Sequence, residues 1–381
     1  MKITYFVHDL NDPAVHRRLA MLRAGGARVA LVGFSRALQP ITEIAGLVPV
    51  DLGRTKDARL IHRAFAVARA LLKGRKTRDA IAGADVVIAR QLEMLLVAEI
   101  ARSRFAPTAR LVYECLDIHR ITLSKRMPGM VLRALERFLL RRCSLLLVSS
   151  PDFVTRYFAK AHAELPTVRV EENRVLEWEI GEQSKLGSTR CHTRPPGPPW
   201  RIGWFGVIRC SRSLRILTAL AREFPGQIEV IIRGRPARNV LADFDSIVAN
   251  TPGLSFRGPY DRGKDLAVIY HDVHFAWTID FYEAGGNSDW LLPNRLYESC
   301  VMGAVPLASS AVQTGRWLLE HGIDLPLDAP LETSVPAFFT LLNQAKYEKA
   351  KAQIDILPIN ALVASRADCA SLVESLSLAR P

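Results

Sequence analysis

The sequence predicts an α/β protein built from two doubly wound parallel sheets, one in each half of the chain. Three observations carry this expectation. Short apolar runs alternate with stretches of helical spacing over residues 1–180, the pattern breaks in a Pro/Gly-rich stretch at 181–200, and the alternation restarts at Arg201. Strands alternating with helices imply a parallel sheet whose crossovers are helical. A chain of 381 residues also exceeds the size of most single cores.

Taken in order, residues 3–8 read as a strand. Pro13–Ala24 has helical spacing, with Val15, Leu19 and Leu22 on one side and Gly25-Gly26 at its end. Residues 28–34 form the next apolar strand, and 57–72 a strongly basic helix. Short strands follow at 85–89 and 110–114, a helix at 130–142, a buried-type strand at 145–149, and a helix from Pro151. Pro195, Pro196, Gly197, Pro198 and Pro199 mark the linker. Beyond it come strands at 201–205, 228–232, 254–257 and 273–279, with a helix at 214–224, and residues 359–378 are helical by spacing. Two such halves predict a ligand cleft.

Composition bounds the class. With 49% hydrophobic and 23% charged residues the chain is an ordinary folded protein. Cys115, Cys143, Cys191, Cys210, Cys300 and Cys369 are scattered without a Cys-x-x-Cys pair, which indicates neither a zinc site nor a disulfide framework and suits a reducing cytoplasm. The first residues lack the apolar core of a signal peptide, and no apolar run reaches the roughly 20 residues of a spanning helix. Charge is uneven. Residues 1–180 hold 30 Lys+Arg against 18 Asp+Glu, a net of +12, while 181–381 hold 21 against 20, a net of +1. A basic half beside a neutral one suggests a polyanionic partner: nucleic acid, an anionic membrane, or a phosphorylated acceptor.

The most informative stretch is 287–308. Pro293 suits the first turn of a helix, Leu296, Val301 and Met302 supply an apolar side, Gly303 sits where a left-handed cap is expected, and 305–308 follow as a strand. A helix start with unpaired N–H groups suits a diphosphate. Glu298, one to two turns in, has two acceptor oxygens that suit the paired hydroxyls of a ribose; a solvated or salt-bridged helix carboxylate is the alternative.

Two halves of this kind plus this stretch resemble the GT-B glycosyltransferases, in particular the broad family-4-like group and its bacterial exopolysaccharide enzymes of the succinoglycan and xanthan type. Weaker similarities lie in Gly203 to Arg209, Phe256-Arg257-Gly258, Tyr113 to His119, and Gly33 to Arg36. The resemblance implies an acceptor-binding domain over 1–180, a linker at 181–200, a nucleotide-sugar domain over 201–358, and a terminal helix over 359–381 that packs back on the first half. It also implies two glutamates eight positions apart at the donor site. Glu298 matches the second, but the first falls on Trp290, with Asp289 and Glu283 as nearby carboxylates. The first loop, Asp9 to Pro13, lacks the Gly-Gly of many relatives, and Arg209 and Arg212 replace the usual Arg and Lys.

A metal-free enzyme of this fold stabilises a departing nucleoside diphosphate with cations and helix N-termini. Arg209, Arg212, Arg233 and Arg235 follow strand ends, where ligands of open sheets collect, and guanidinium grips phosphate in a bidentate way. Arg295 and Asn294 at the helix start join them, Gly206 permits close backbone approach, and Asn287 and Ser288 offer bonds to donor hydroxyls; a turn or surface role is the alternative for each. If the anomeric centre is inverted, a base must take the acceptor proton, and Asp117 is the candidate, with His119 next; a helix cap or loop turn is the alternative for Asp117. His8 and Asp9 end the first strand and line the acceptor side.

The expected function is transfer of a sugar from a nucleoside-diphosphate sugar, favoured as UDP-linked by the resemblance, to a saccharide that is lipid-linked at the inner face of the plasma membrane, with no cofactor. Two basic stretches support a peripheral site on an anionic membrane: 57–76, and 125–142 with Met127, Met130, Val131 and Leu132. A solvated outer helix face is the plainer account of both. A nucleic-acid binder is the competing class, but no zinc finger, RNP motif or compact recognition helix is evident. A dinucleotide oxidoreductase would need Gly-x-Gly-x-x-Gly after the first strand, which is missing. A same-fold sugar-nucleotide epimerase or a non-catalytic relative stays open.

Overall fold

A computed structural model describes residues 1–35, 42–54, 74–180 and 195–378; the basic helix expected at 57–72 lies outside the described residues. The chain forms two units, Met1–Glu172 with Ser365–Pro381, and Asn173–Ala364.

The first unit is a doubly wound sheet. Its elements are β1 (Lys2–Val7), α1 (Pro13–Ala24), β2 (Arg28–Ser35), β3 (Val50–Arg54), α2 (Gly74–Ile81), β4 (Val86–Arg90), α3 (Leu92–Phe105), β5 (Arg110–Cys115), α4 (Arg120–Leu123), α5 (Met127–Leu140), β6 (Leu145–Val148), a π-helical turn (Phe153–Phe158) running into α6 (Ala159–Ala161), and β7 (Thr167–Val170). The strands lie in the order β3-β2-β1-β4-β5-β6-β7, all parallel. β4 and β6 are buried along their whole length, as expected of strands covered on both faces. α1 starts where Asp12 accepts from the Ala14 N–H at 2.9 Å, with Pro13 in its first turn, and stops at Gly25-Gly26, Gly26 having φ +85°. The strand order reverses between β1 and β4, and crevices form outside strand C-termini at such a point.

The second unit holds β8 (Val175–Leu176), β9 (Trp200–Ile208), α7 (Ser211–Glu223), β10 (Ile228–Pro236), α8 (Phe244–Ala249), β11 (Leu254–Phe256), α9 (Arg262–His271), β12 (Phe275–Trp277), α10 (Asn287–Trp290), α11 (Asn294–Val301), β13 (Val305–Leu307), α12 (Gln313–Glu320), α13 (Leu331–Leu341), α14 (Gln344–Asp355), α15 (Ile359–Leu362) and β14 (Val363–Ala364). Its parallel sheet has the order β11-β10-β9-β12-β13, so the reversal falls between β9 and β12. Trp204, Trp277, Phe205 and Tyr270 are fully buried in its core, and each such side chain contributes roughly 1.5–3 kcal/mol on burial.

The end of the chain departs from the expected pattern. Residues 359–378 are not one helix: α15 stops at Leu362, Val363 and Ala364 pair with Val175 and Leu176, and a new helix, α16 (Arg366–Leu378), follows. The break comes from pairing with a strand nearly 190 positions earlier, which helical spacing cannot register. α16 lies against α1 in the first unit, so close that a Cβ on Gly25 would meet the Cys369 carbonyl oxygen at 2.2 Å. Several strand limits also shift, most at β12, which spans three residues of the expected 273–279.

Candidate functional site

In the second unit the site is built outward from the ends of β9 and β12. Gly206, near the end of β9, has φ +109° and pairs in register with Gly234 of β10, at φ +135°. A Cβ on Gly234 would lie 1.8 Å from the Gly206 carbonyl oxygen, whereas a Cβ on Gly206 would meet nothing within 4 Å. The backbone is therefore closed on one side of this pair and open at Gly206, which suits close approach of a ligand. Arg209 follows, with Nη2 3.7 Å from Asp280 Oδ2 and the guanidinium 4.5 Å over the Tyr282 ring. Arg212 stacks on Phe281 at 4.1 Å and makes a two-point pair with Glu332, at 2.7 and 2.9 Å. Hydrogen bonding by Arg212 holds the Glu332 carboxyl at about 2, so a phosphate at Arg212 would compete with a carboxylate already seated there.

α11 shows why 287–308 is so informative. Pro293 is the residue before the helix, with φ −73° and ψ 150°, rather than its first turn. At the other end Gly303 has φ +68° and donates to Cys300 O at 3.2 Å, and Ala304 donates to Ser299 O at 2.9 Å, the paired bonds of a left-handed stop. This fixes Glu298 on the inner side of the helix, 3% exposed. Its Oε1 accepts from Arg262 Nε at 2.8 Å and its Oε2 from the Tyr270 hydroxyl at 3.1 Å. Arg295 donates from Nη1 to the Trp277 carbonyl at 3.1 Å, which seats it over the end of β12. Asn294 is exposed at the helix start.

Tyr260, in the loop after β11, packs edge-on against Phe205 at 6.4 Å. Burial and the Glu298 charge push its hydroxyl up to about 12, and the guanidiniums of Arg295, Arg262 and Arg233 act against that shift. Arg233 donates from Nη2 to Pro259 O at 3.1 Å, and Gly234 N–H to Gly258 O at 2.9 Å, which ties the end of β10 to the same loop. Arg233, Arg295, Arg262 and Glu298 thus all lie within electrostatic reach of the Tyr260 hydroxyl. Arg235 points to solvent. Asn287 and Ser288 are buried and organise the preceding turn: Asn287 Nδ2 donates to Glu283 Oε2 at 2.7 Å, and Ser288 Oγ accepts from the Glu283 N–H at 2.8 Å. Asp289 accepts from the Gly285 N–H at 2.9 Å, and Trp290 is half-buried.

In the first unit the corresponding point is the pair β1 and β4. His8 and Asp9 follow β1; Asp9 is buried and its Oδ1 accepts from the Asn11 N–H at 3.1 Å, and His8 Nε2 lies 3.8 Å from Asp12 Oδ2. Asp12 is also 3.5 Å from Arg90 Nη1 at the end of β4. Behind them sits Glu114, fully buried, accepting from Arg18 Nε at 2.6 Å, Arg90 Nε at 2.8 Å and the Tyr5 hydroxyl. Burial pushes the Glu114 carboxyl up, but Arg90, Arg18 and Tyr5 outweigh it and hold it at about 2. Gln91, directly after β4, has φ +74°, a strained value for a non-glycine residue and one that gathers at functional sites. Asp117 is exposed on the loop after β5, its carbonyl accepting from Cys115 Sγ at 3.4 Å. His119 is exposed and caps α4, its Nδ1 accepting from the Ile121 N–H at 3.2 Å.

Sequence reasoning passed over Arg18, Arg90 and Glu114, and over Arg262, Tyr270, Tyr260 and Glu179. One signal was readable: a glutamate within the apolar run Leu111-Val112-Tyr113-Glu114-Cys115 must find cations once the strand is buried.

No protein-family model matches the sequence. The succinoglycan biosynthesis protein ExoL of Rhizobium meliloti (strain 1021) is 43% identical over 377 residues, which covers 99% of this chain and 93% of that protein. Among solved structures, sucrose-phosphate synthase from Thermosynechococcus elongatus superposes with a TM-score of 0.69 at 12% identity, covering 100% of both chains. Anabaena Alr3699/HepE in complex with UDP and glucose gives 0.65 at 16%, covering 99% of this chain and 100% of that one. WaaG, a glycosyltransferase involved in lipopolysaccharide biosynthesis, gives 0.64 at 12%, covering 97% and 99%. The chain belongs to the family of the succinoglycan biosynthesis protein ExoL, and its fold is that of the GT-B glycosyltransferases.

Proposed function

We propose that this chain is a glycosyltransferase of exopolysaccharide synthesis that takes a sugar from a UDP-linked donor and passes it to a saccharide acceptor. The family of ExoL and the GT-B fold support the reaction class. The observation that carries the donor assignment is the arrangement at the C-terminal edge of the second sheet: an open backbone at Gly206, Arg233 bonded to the Pro259 carbonyl, Arg295 bonded to the Trp277 carbonyl, and Glu298 held on the inner side of α11. In this reading Arg209, Arg233 and Arg295 stabilise the departing diphosphate, helped by the first turn of α11, where Asn294 sits. Glu298 takes the ribose hydroxyls. Asn287 and Ser288 position the turn beside the donor sugar, and Arg212 contributes only when a phosphate displaces Glu332. Uracil is favoured because HepE, on the same fold, holds UDP and glucose.

On the acceptor side, Asp117 is exposed and suits a base for an inverting transfer. His119 spends its Nδ1 on capping α4, which makes Asp117 the better choice. His8 and Asp9, with Asp12 and Arg90, would line the acceptor pocket.

The acceptor is read as lipid-linked and the enzyme as peripheral on an anionic membrane at the cytoplasmic face. Among the described residues no helix is long and apolar enough to cross a membrane. The support is α5, where Met127, Met130 and Val131 are 69%, 52% and 60% exposed beside Lys125 and Arg126. Apolar side chains flanked by cations suit an anionic lipid surface.

A thermal-shift series with UDP, GDP, ADP and their sugars tests the donor reading, since a ligand of the native state raises the melting temperature. UDP and one UDP-sugar should raise it most. Product analysis then separates transfer from epimerisation of the donor, and no turnover with any acceptor would remove the enzyme assignment.

A further inference from the structure

The donor carboxylate does not stand alone. Arg262 opens α9, its backbone set by Asp261, whose Oδ1 accepts from the Gly263 N–H at 2.8 Å. The guanidinium is divided between two carboxylates. Nε donates to Glu298 Oε1 at 2.8 Å, and Nη1 lies 2.8 Å from Glu179 Oε2. Nη2 is buried and has no hydrogen-bond partner among the described residues. Tyr270, fully buried on the same helix, donates to the other oxygen of Glu298 at 3.1 Å.

This division matters for recognition. A guanidinium that meets a carboxylate fork to fork engages both oxygens at once. Here Glu179 draws one arm of Arg262 aside, so Arg262 touches a single oxygen of Glu298. Each Glu298 oxygen therefore accepts one donor from the protein among the described residues, and a carboxylate oxygen has two lone pairs. One acceptor position per oxygen is left, with the carboxylate plane fixed from both sides. Two adjacent hydroxyls, each donating one hydrogen bond, match that arrangement; a sugar with only one of them does not.

We propose that Arg262, held by Glu179, is a positioning residue that makes Glu298 select a nucleotide with both ribose hydroxyls over its 2′-deoxy counterpart. The proposal rests on the donor reading of Glu298 and goes beyond it by assigning the discrimination to a residue that need not touch the nucleotide.

The test is calorimetric binding of UDP and of 2′-deoxy-UDP to the intact protein and to Arg262→Met, Arg262→Lys and Glu298→Gln, each first checked for a cooperative melting transition. The unaltered protein should prefer UDP by about tenfold or more, the value of one well-made hydrogen bond to a charged group. Glu298→Gln should bring that ratio near one, and so should Arg262→Met, mainly by weakening UDP and leaving 2′-deoxy-UDP almost unchanged. Arg262→Lys keeps the charge but cannot bridge both carboxylates, so its ratio should fall between; it carries the test if the Met variant does not fold. A ratio that collapses in Glu298→Gln but survives in the Arg262 variants overturns this proposal and spares the donor reading. An unaltered protein that does not discriminate, or a Glu298→Gln variant that still does, overturns the donor reading and this proposal with it.

Discussion

The glycine pair at the ends of β9 and β10 makes an unusually sharp prediction, because the two positions should fail in different ways. At Gly206 an added methyl meets no atom within 4 Å, so the penalty is conformational: φ is +109°, and an L side chain there costs about 1–2 kcal/mol. For a unit of roughly 150–250 residues that is a fall in melting temperature of about 2–8 °C. The same methyl stands in the space a donor diphosphate would use to reach the backbone. Losing one charge-assisted hydrogen bond there costs about 1.5–3 kcal/mol, or roughly 10- to 100-fold in donor affinity. At Gly234 the methyl would sit 1.8 Å from the Gly206 carbonyl oxygen, a backbone atom that no rotamer change can move, at φ +135°. Gly234→Ala should therefore break the pairing of β9 with β10 and cost about 3 kcal/mol or more. The assay is differential scanning of both variants followed by UDP calorimetry. Gly206→Ala should be folded and poor at binding; Gly234→Ala should be chiefly unstable. A folded Gly206→Ala protein that binds UDP like the parent refutes the reasoning that places the donor at this strand end.

Four further outcomes follow from the first unit. Glu114→Gln strands the buried guanidiniums of Arg18 and Arg90 without their anion and should destabilise the protein by about 3–5 kcal/mol, read from denaturant unfolding. The parent should also lose stability in acid: the Glu114 carboxyl is depressed from 4.5 to about 2, so its contribution is complete above 4.5 and disappears as pH falls toward 2, on the order of 3 kcal/mol in all, and Glu114→Gln should lack that limb. Asp117→Asn should keep UDP affinity within twofold and lower turnover at least ~100-fold, the typical contribution of a positioned base; normal turnover with the proper acceptor would remove Asp117 from that role. Replacing Met127, Met130 and Val131 with serine should reduce co-sedimentation with anionic vesicles and leave UDP binding unchanged; equal co-sedimentation would move the membrane contact away from α5.

The parts of this molecule that were legible in the sequence are those that local periodicity dictates. α1 announces itself through the spacing of Val15, Leu19 and Leu22 and through Gly25-Gly26, and α11 through its apolar side and Gly303. Glu298 was legible for the same reason, since its place on α11 depends on a helix that the sequence marks at both ends. What stayed hidden depends on register between distant segments. Arg90 and Glu114 are partners because β4 and β5 align them, and Arg18 joins from α1; no spacing in the chain links 18, 90 and 114. Arg262 meets Glu298 across 36 positions and Glu179 across 83, through contacts that exist only once the second sheet has formed. The pairing of β14 with β8 is of the same kind, and it broke a stretch that reads as a single helix. The turn roles weighed for Asn287 and Ser288 also have a structural counterpart, since each spends a side-chain atom on the turn at Glu283.

In the proposed function the second unit grips a uridine diphosphate through Glu298 at the C-terminal edge of its sheet. The most direct test is isothermal titration of the intact protein and of Glu298→Gln with UDP under identical conditions. Saturable one-to-one binding to the parent and a loss of about 10- to 100-fold in the variant are expected, with both melting cooperatively. Equal affinity in the two proteins, or no UDP binding by the parent at millimolar concentration, would contradict it.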